Sequence, residues 1–471
     1  MFKNSFPSWR KKTRTKTAPA SVPCDCNSIS RKKVNHIAEQ IDQPVSSRLQ
    51  VMNFLNEVAE KYPKAISFAS GRPAERFFEL QEAGEHLSRF IQHFAATSNL
   101  ELDATFNRLA QYGRTNGIIN SLIARQIAND EKITCSADQI IVTAGCQEAM
   151  DLCATTLCAA PGDVILTKTP TYIGITGVAD LNGIPIIPFD CTTPDEFVPA
   201  LRAAVTSAVG RGLRPRALYL IPDFDNPTGV SIPPEVRTGI IELCAQNEIV
   251  VLEDNPYGLF RYEETAIPTM FSLDHHGCVI YLGTYSKTIC PALRVGYAVL
   301  PEHLFGRQER TALLMERLSQ AKSFGTVNTS QLAQAIVGGV LLKENFSLSK
   351  ITGRARQFYR SNRDALISAL SNEFGTNGEK VQWNVPTGGF FLTVSVPFEF
   401  TDKEAEICAR DYELLVMPLA FFSLNKTRHR GVRFAFSNTT PEFISEGISR
   451  FRRFVDDTKS FRSDQEVNLP V

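Results

Sequence analysis

The sequence predicts an α/β protein: a large domain with a mainly parallel, seven-stranded sheet, joined to a smaller α+β domain. Three observations carry this. Between about residues 139 and 300, seven short apolar runs alternate with longer stretches of helical periodicity. Several of those runs are continuous rather than alternating, which marks strands buried on both faces. After about residue 325 the pattern changes to helices followed by two separated strand runs and a closing helix.

The seven runs are Ile140–Val142, Val164–Leu166, Ile186–Ile187, Leu218–Ile221, Ile249–Leu252, Val279–Leu282 and Val295–Val299. Between the first two, residues 147–159 place Met150, Cys153, Ala154 and Leu157 on one helical stripe, stopped by Pro161-Gly162-Asp163. The later strands are expected at Phe390–Val394 and Val432–Phe436, with the last helix starting at Pro441. The expected organisation is a basic tail over 1–45 and an arm with part of the small domain over 46–105. The large domain follows over 106–320, the small domain over 321–457 and a polar tail over 458–471.

Composition removes several function classes. Of 471 residues, 43% are hydrophobic and 21% charged, enough to bury a sizeable core. Fifty Lys and Arg balance fifty Asp and Glu, so the chain lacks the positive field of a dedicated nucleic-acid binder. No apolar stretch reaches the length of a membrane span. The 11 cysteines are scattered, mostly in apolar runs, which suits reduced thiols and a cytoplasmic location. Before Val34 there are nine basic residues and one acid, Asp25, with no apolar segment of secretory type. That composition fits a solvated disordered tail or an organelle transit peptide. Cys24 and Cys26 have no second pair at ligand spacing, and the seven histidines fall in no metal spacing, so no metal is expected.

In an open parallel sheet, ligands bind beyond the carboxyl ends of the strands. The residues following each apolar run therefore carry the chemistry. After Val142 comes Thr143-Ala144-Gly145-Cys146-Gln147, a glycine turn into a helix whose free N–H groups offer an anion seat. After Ile221 comes Pro222 to Gly229, containing Asn226-Pro227-Thr228-Gly229. After Leu252 comes Glu253-Asp254-Asn255-Pro256-Tyr257. After Leu282 comes Gly283-Thr284-Tyr285-Ser286-Lys287-Thr288, then Arg294-Val295-Gly296.

Together these supply a phosphate seat (Gly145, Cys146, Gln147, Thr284, Ser286, Arg294), one carboxylate, hydrogen-bond donors and one lysine. That set fits pyridoxal 5'-phosphate. Lys287 would form a Schiff base with the aldehyde. Asp254 would keep the ring nitrogen protonated. Asn226 and Tyr257 would bond the ring phenolate oxygen, and Arg294 the phosphate.

The ordered motifs N-P-T-G, D-x-P-Y, S-K-T and R-x-G, with Asn226, Asp254, Lys287 and Arg294 spaced 28, 33 and 7 residues apart, resemble the class I/II aminotransferases of the fold-type I pyridoxal-phosphate family. The likeness covers roughly 60–455 and is nearest the branch holding 2-aminoadipate and kynurenine aminotransferases and the C-terminal domains of MocR-type regulators. It implies an amino-acid and 2-oxo-acid substrate pair and a homodimer with shared active sites. It further implies that Tyr172 stacks on the cofactor ring and that Tyr112 reaches the neighbouring subunit's phosphate. Arg433 would clamp the substrate α-carboxylate, with Gly71 approaching it through its backbone.

Two departures bear on the substrate. Arg114, in Gln111-Tyr112-Gly113-Arg114, stands where the family has proline, and Arg72 stands where an apolar residue is more common. Two extra arginines favour an acidic or bulky anionic side chain, unless both pair with nearby acids. Cys146 replaces a small residue whose backbone does the binding, so no redox role is read into it. The leading expectation is transamination, with catalytic Lys287, Asp254 and Tyr257. One alternative is a pyridoxal-phosphate enzyme of specialised biosynthesis doing elimination, γ-replacement or cyclisation. Another is a non-enzymatic sensor of the cofactor, for which the chain lacks a DNA-binding domain and a basic excess.

Overall fold

The computed structural model describes residues 60–467, apart from 192, 264–266, 376–380 and 426–428. The basic N-terminal segment, Cys24 and Cys26, and the arm up to residue 59 lie outside the described residues. The described chain belongs to one compact unit.

Thirteen strands run in order: β1 Ile66–Ser67, β2 Ile140–Thr143, β3 Asp163–Thr169, β4 Ile186–Asp190, β5 Arg214–Leu220, β6 Val250–Asp254, β7 Val279–Thr284, β8 Gly296–Val299, β9 Gln382–Trp383, β10 Phe391–Ser395, β11 Leu414–Leu415, β12 Met417–Pro418 and β13 Gly431–Ala435. The expected seven apolar runs form one sheet in the order β2-β8-β7-β6-β5-β3-β4. Only β8 runs antiparallel to its neighbours β2 and β7. The parallel strands are joined by helices Cys146–Leu157, Ile173–Asn182, Phe197–Gly210 and Pro234–Gln246.

The continuous apolar runs are explained by burial on both sides. Ala217, Tyr219, Val250, Leu252, Ile280 and Leu282 face the core shared with helix Cys146–Leu157. Their neighbours Leu218, Leu220, Val251 and Val279 face helices Phe197–Gly210 and Pro234–Gln246. Period-two alternation thus sends apolar groups both ways.

The C-terminal part holds an antiparallel sheet in the order β12-β13-β10-β9. Arg433 pairs with Thr393 on one side and Met417 on the other. Helices Ser349–Phe374 and Pro441–Val467 pack together beside it. The segment around β1 threads in: Ile66 pairs with Leu414, and Ala435 N–H donates to the Phe68 carbonyl at 2.8 Å.

The packing apportions the expected small domain differently. Helices Ala83–Ser98 and Gln331–Lys343 pack on each other, and they share a cluster with Ile140, Val142, Tyr281, Tyr297 and Val299 of the large sheet. A Cβ on Gly339 would lie 1.9 Å from the His86 carbonyl oxygen, so glycine is what lets these helices cross closely. They cover the β2–β8 edge of the large sheet rather than joining β10 and β13. Among the described residues, no helix is long and apolar enough to cross a membrane.

Candidate active site

The strand ends converge on one cavity of about 610 Å³ between the two sheets. β2 delivers the anion seat. Gly145 adopts φ 82, and the helix starts at Cys146 with its first N–H groups unpaired within the helix. A Cβ on Gly145 would lie 2.3 Å from Arg294 Nη2, so only glycine allows the guanidinium this close. Arg294 itself adopts φ 52, donates to Ser286 Oγ at 3.3 Å and reaches the Ala144 carbonyl at 3.5 Å. The glycine of R-x-G has a packing reason as well: a Cβ on Gly296 would meet Cys146 N at 2.7 Å. Thr284 Oγ1 accepts from Ser286 N–H at 3.1 Å, which shapes the loop before Lys287. Gln147 is exposed, and its side-chain amide donates to the Gly174 carbonyl at 3.1 Å.

β6 delivers Asp254, which is 3% exposed. Its Oδ2 accepts from the Tyr219 hydroxyl at 2.7 Å and its Oδ1 from the Cys146 thiol at 3.2 Å. Burial raises its pKa to about 6, against the pull of both donors and of Lys287. Burial likewise lowers Lys287 to about 8, with Asp254 opposing and Arg294 and Arg433 adding to the fall. Tyr257 is buried, edge-on to Phe390 and Phe391 at centroid distances of 5.1 and 5.7 Å. Tyr172 lines the cavity, and burial raises its hydroxyl to about 12.

The opposite wall carries Arg433, which is 5% exposed. Nη1 donates to Asn226 Oδ1 at 2.8 Å, Nη2 donates to the Ala69 carbonyl, and Nε has no partner. The guanidinium is sandwiched 4.5 Å from the Phe391 ring and 4.8 Å from the Phe422 ring. Burial lowers it to about 10, so it still carries its charge at neutral pH. Gly71 lies against Phe391, where a Cβ would meet Cζ at 2.3 Å. Arg72 is exposed at the rim, its carbonyl accepting from Ser437 Oγ at 2.6 Å.

The structure therefore brings together Gly71, Arg72, Cys146, Gln147, Tyr172, Asn226, Asp254, Tyr257, Thr284, Ser286, Lys287, Arg294 and Arg433 around one space, with Gly145 at its floor. It does not bring in Tyr112, which is 83% exposed away from this chain's cavity. Arg114 is exposed and also lies elsewhere.

The family described as aminotransferase class I and II matches residues 84–451. The chain belongs to that family. An (S)-3,5-dihydroxyphenylglycine transaminase of Amycolatopsis orientalis is 41% identical over 86% of this chain and 91% of its own length. A 2-aminoadipate transaminase of Thermus thermophilus is 30% identical over 83% and 90%. Among solved structures, the α-aminoadipate aminotransferase of Thermus thermophilus complexed with N-(5'-phosphopyridoxyl)-L-leucine has a TM-score of 0.70 at 28% identity, covering 86% of this chain and 95% of that one. The kynurenine aminotransferase of Pyrococcus horikoshii shares the fold, with a TM-score of 0.76 at 24% identity over 92% and 98%.

The protein is a pyridoxal-phosphate-dependent aminotransferase, and its cavity fits that cofactor chemically. It offers one partly neutral lysine, one buried carboxylate and one anion seat, while the orphaned Nε of Arg433 leaves a donor for a further anion. Sequence reasoning missed three groups of this aminotransferase. Tyr219 read as a core aromatic of β5, yet its hydroxyl holds Asp254. The thiol of Cys146 touches Asp254 too, although only its backbone was expected to act. Glu148 and Lys322 form a buried ion pair at 2.8 Å, and Glu148 accepts from the Ala144 N–H, bracing the anion seat from behind. These two residues are 174 apart in sequence, so no local motif announces them.

Proposed function

We propose that this aminotransferase moves the amino group of an aromatic α-amino acid to a 2-oxo acid. The observation that carries the substrate class is the wall around Arg433. Beyond the polar strand ends, the cavity is lined by Ile173, Ile221, Phe391, Leu415, Val416 and Phe422, with Ser67, Ser70, Arg72 and Asn438 as the remaining polar groups. Such a surface gains from burying an aromatic ring and offers few polar groups to an acidic one. The Amycolatopsis relative, named for an aryl amino acid, supports the same reading.

Bound pyridoxal phosphate supplies an aldehyde and an electron-withdrawing ring. The chain's own groups do the rest. Lys287 Nζ is the group that would hold the cofactor's aldehyde carbon and, once freed by a substrate amine, would move the proton at substrate Cα. Asp254 would hold the proton on the ring nitrogen. Asn226 and Tyr257 would bond the phenolate oxygen, and Tyr172, on the cavity wall, would stack on the ring. Arg294, Ser286, Thr284 and the backbone at Gly145-Cys146-Gln147 would hold the phosphate. Arg433, with Gly71 beside it, takes the α-carboxylate as a bidentate fork.

A homodimer completes the reading. Phe106, Tyr112, Phe324, Val327 and Leu332 are exposed, at 54, 83, 93, 44 and 54%. The Gln331 side chain ties their segments together by donating to the Arg108 and Leu109 carbonyls at 3.3 and 3.2 Å. That apolar patch suits burial against a second copy, with Tyr112 entering the partner's site. Light scattering is expected to give a dimer mass, and Tyr112→Phe to weaken cofactor binding; a monomer with full activity would overturn this.

Arg72 favours a second reading. It lies at the rim, makes no ion pair among the described residues, and could receive an acidic side chain. An amino-donor screen decides. Aromatic donors are expected to exceed 2-aminoadipate by at least about tenfold in kcat/KM, since a side-chain pocket discriminates by roughly 1–3 kcal/mol. The inverse ratio, abolished by Arg72→Ala, would replace the aromatic reading with the acidic one.

A further inference from the structure

We propose that Tyr219 and Cys146 are positioning residues for Asp254: the phenol and the thiol donate to different oxygens and hold the carboxylate ionised, in one orientation, at the cavity wall. The inference rests on reading Asp254 as the partner of the ring nitrogen.

The geometry is specific. Tyr219 is wholly buried on β5, on the same face as Ala217. Its neighbour Leu220 pairs with Glu253, so the register sets the phenol beside Asp254. Its hydroxyl has no other hydrogen-bond partner among the described residues, and the packed ring cannot swing the donor away. A buried carboxylate with no donor on its oxygens would be costly, and two donors on two oxygens offset part of that cost. Cys146 opens the helix whose backbone N–H groups face the anion seat, while its side chain reaches Asp254. One residue thereby ties the phosphate seat to the ring-nitrogen partner. The titratable groups facing Asp254 are Tyr219, Cys146, Tyr172, Tyr257 and Lys287. Among them, only Tyr219 and Cys146 hydrogen-bond to it.

The test is cofactor binding rather than turnover. The full-length apoprotein is titrated with pyridoxal phosphate by absorbance between about pH 5 and 9, and the dissociation constant is plotted against pH. Affinity is expected to weaken where Asp254 takes up a proton. Losing a donor makes the carboxylate more basic, so in Tyr219→Phe the step moves to higher pH by roughly one unit, a tenfold change in proton affinity. Cys146→Ala moves it the same way by less, the thiol being the weaker donor. Replacing Tyr219 by 3-fluorotyrosine, a more acidic phenol of similar shape, moves it to lower pH. That opposite shift is one a merely structural role would not produce. Asp254→Asn removes the step and leaves the cofactor's own ionisations as the reference.

If Tyr219→Phe fails to fold, the fluorotyrosine protein and Cys146→Ala decide alone. A step unmoved in these proteins, yet missing in Asp254→Asn, sinks the positioning roles and leaves the ring-nitrogen reading standing. Asp254→Asn with wild-type affinity and an intact step sinks the ring-nitrogen reading itself.

Discussion

The two walls of the cavity are built on different principles. The cofactor wall comes from the ends of β2, β5, β6 and β7, and each of its polar groups sits within a few residues of a buried apolar run. The facing wall gathers Ser67, Ala69, Gly71, Arg72, Phe391, Leu415, Phe422 and Arg433 from separate segments, mostly by apolar packing. One wall is set by the topology of a parallel sheet. The other is set by how β1, β10, β11 and β13 nest. Chemistry fixed by the first can stay constant while packing on the second changes what is bound.

The sharpest way to break that division is to disable one wall and look for effects on the other. Lys287→Ala is expected to lower kcat by at least about a thousandfold for every amino donor alike, because proton transfer at Cα is lost whatever the side chain. Selective loss for some donors would mean that Lys287 also senses the side chain. The approach to neutrality is expected in the pH profile as well. Lys287, lowered to about 8, becomes a neutral nucleophile as pH rises through that value. Covalent capture of pyridoxal phosphate by the apoprotein, trapped by borohydride and read by mass, should therefore accelerate up to about pH 8 and then level off.

A smaller effect is expected across the cavity. Arg433→Lys keeps the charge but loses the planar fork held between Phe391 and Phe422. It should lower kcat/KM by about 10–100-fold through KM, in proportion for aromatic and acidic donors, as one or two charge-assisted hydrogen bonds are lost. Arg72→Ala should be milder, changing aromatic donors by less than about threefold while acidic donors fall by up to about tenfold. Steady-state kinetics with both donor classes check each expectation.

The same contrast explains what was legible in the sequence. The seven runs of the large sheet were readable, most of them because a strand buried on both faces writes itself as a continuous apolar string, while half-buried edge strand β4 shows only Ile186-Ile187. The motif residues were readable because they follow those strings directly. Tyr219 was not, since an aromatic inside a strand looks like core until the register with β6 shows where its hydroxyl ends. Glu148 and Lys322 were not, since their pairing depends on how helix Gln308–Gly325 lies against helix Cys146–Leu157. The sequence places helices Ala83–Ser98 and Gln331–Lys343 within segments expected to contribute to the small domain, while they pack in a cluster with the large sheet. Their amphipathic faces reveal that something is covered, while the partner is chosen by the close crossing at Gly339.

The cofactor wall also has a backing, and it offers the smallest and most discriminating test. Asn255, next to Asp254, donates through Nδ2 to Glu131 Oε2 at 3.1 Å and accepts from Gly258 N–H at 2.9 Å. The Tyr281 hydroxyl donates to the same Glu131 oxygen. Burial raises Glu131 from an ordinary 4.5 to about 8, with Tyr281 opposing and Glu253, Asp130 and Asp223 adding. The folded state thus binds this proton more tightly than the unfolded chain. Its contribution to stability is complete below about pH 4.5 and is lost progressively as pH rises towards 8. Glu131→Gln keeps an acceptor for both donors and has no proton to lose. Its melting temperature should match the wild type near about pH 5 and exceed it by roughly a degree or more near about pH 8.5. If the two proteins instead melt with the same pH dependence, Glu131 is ionised in the fold. The strand end that presents Asp254 would then rest on a charged backing rather than a neutral one, and its rigidity would need another source.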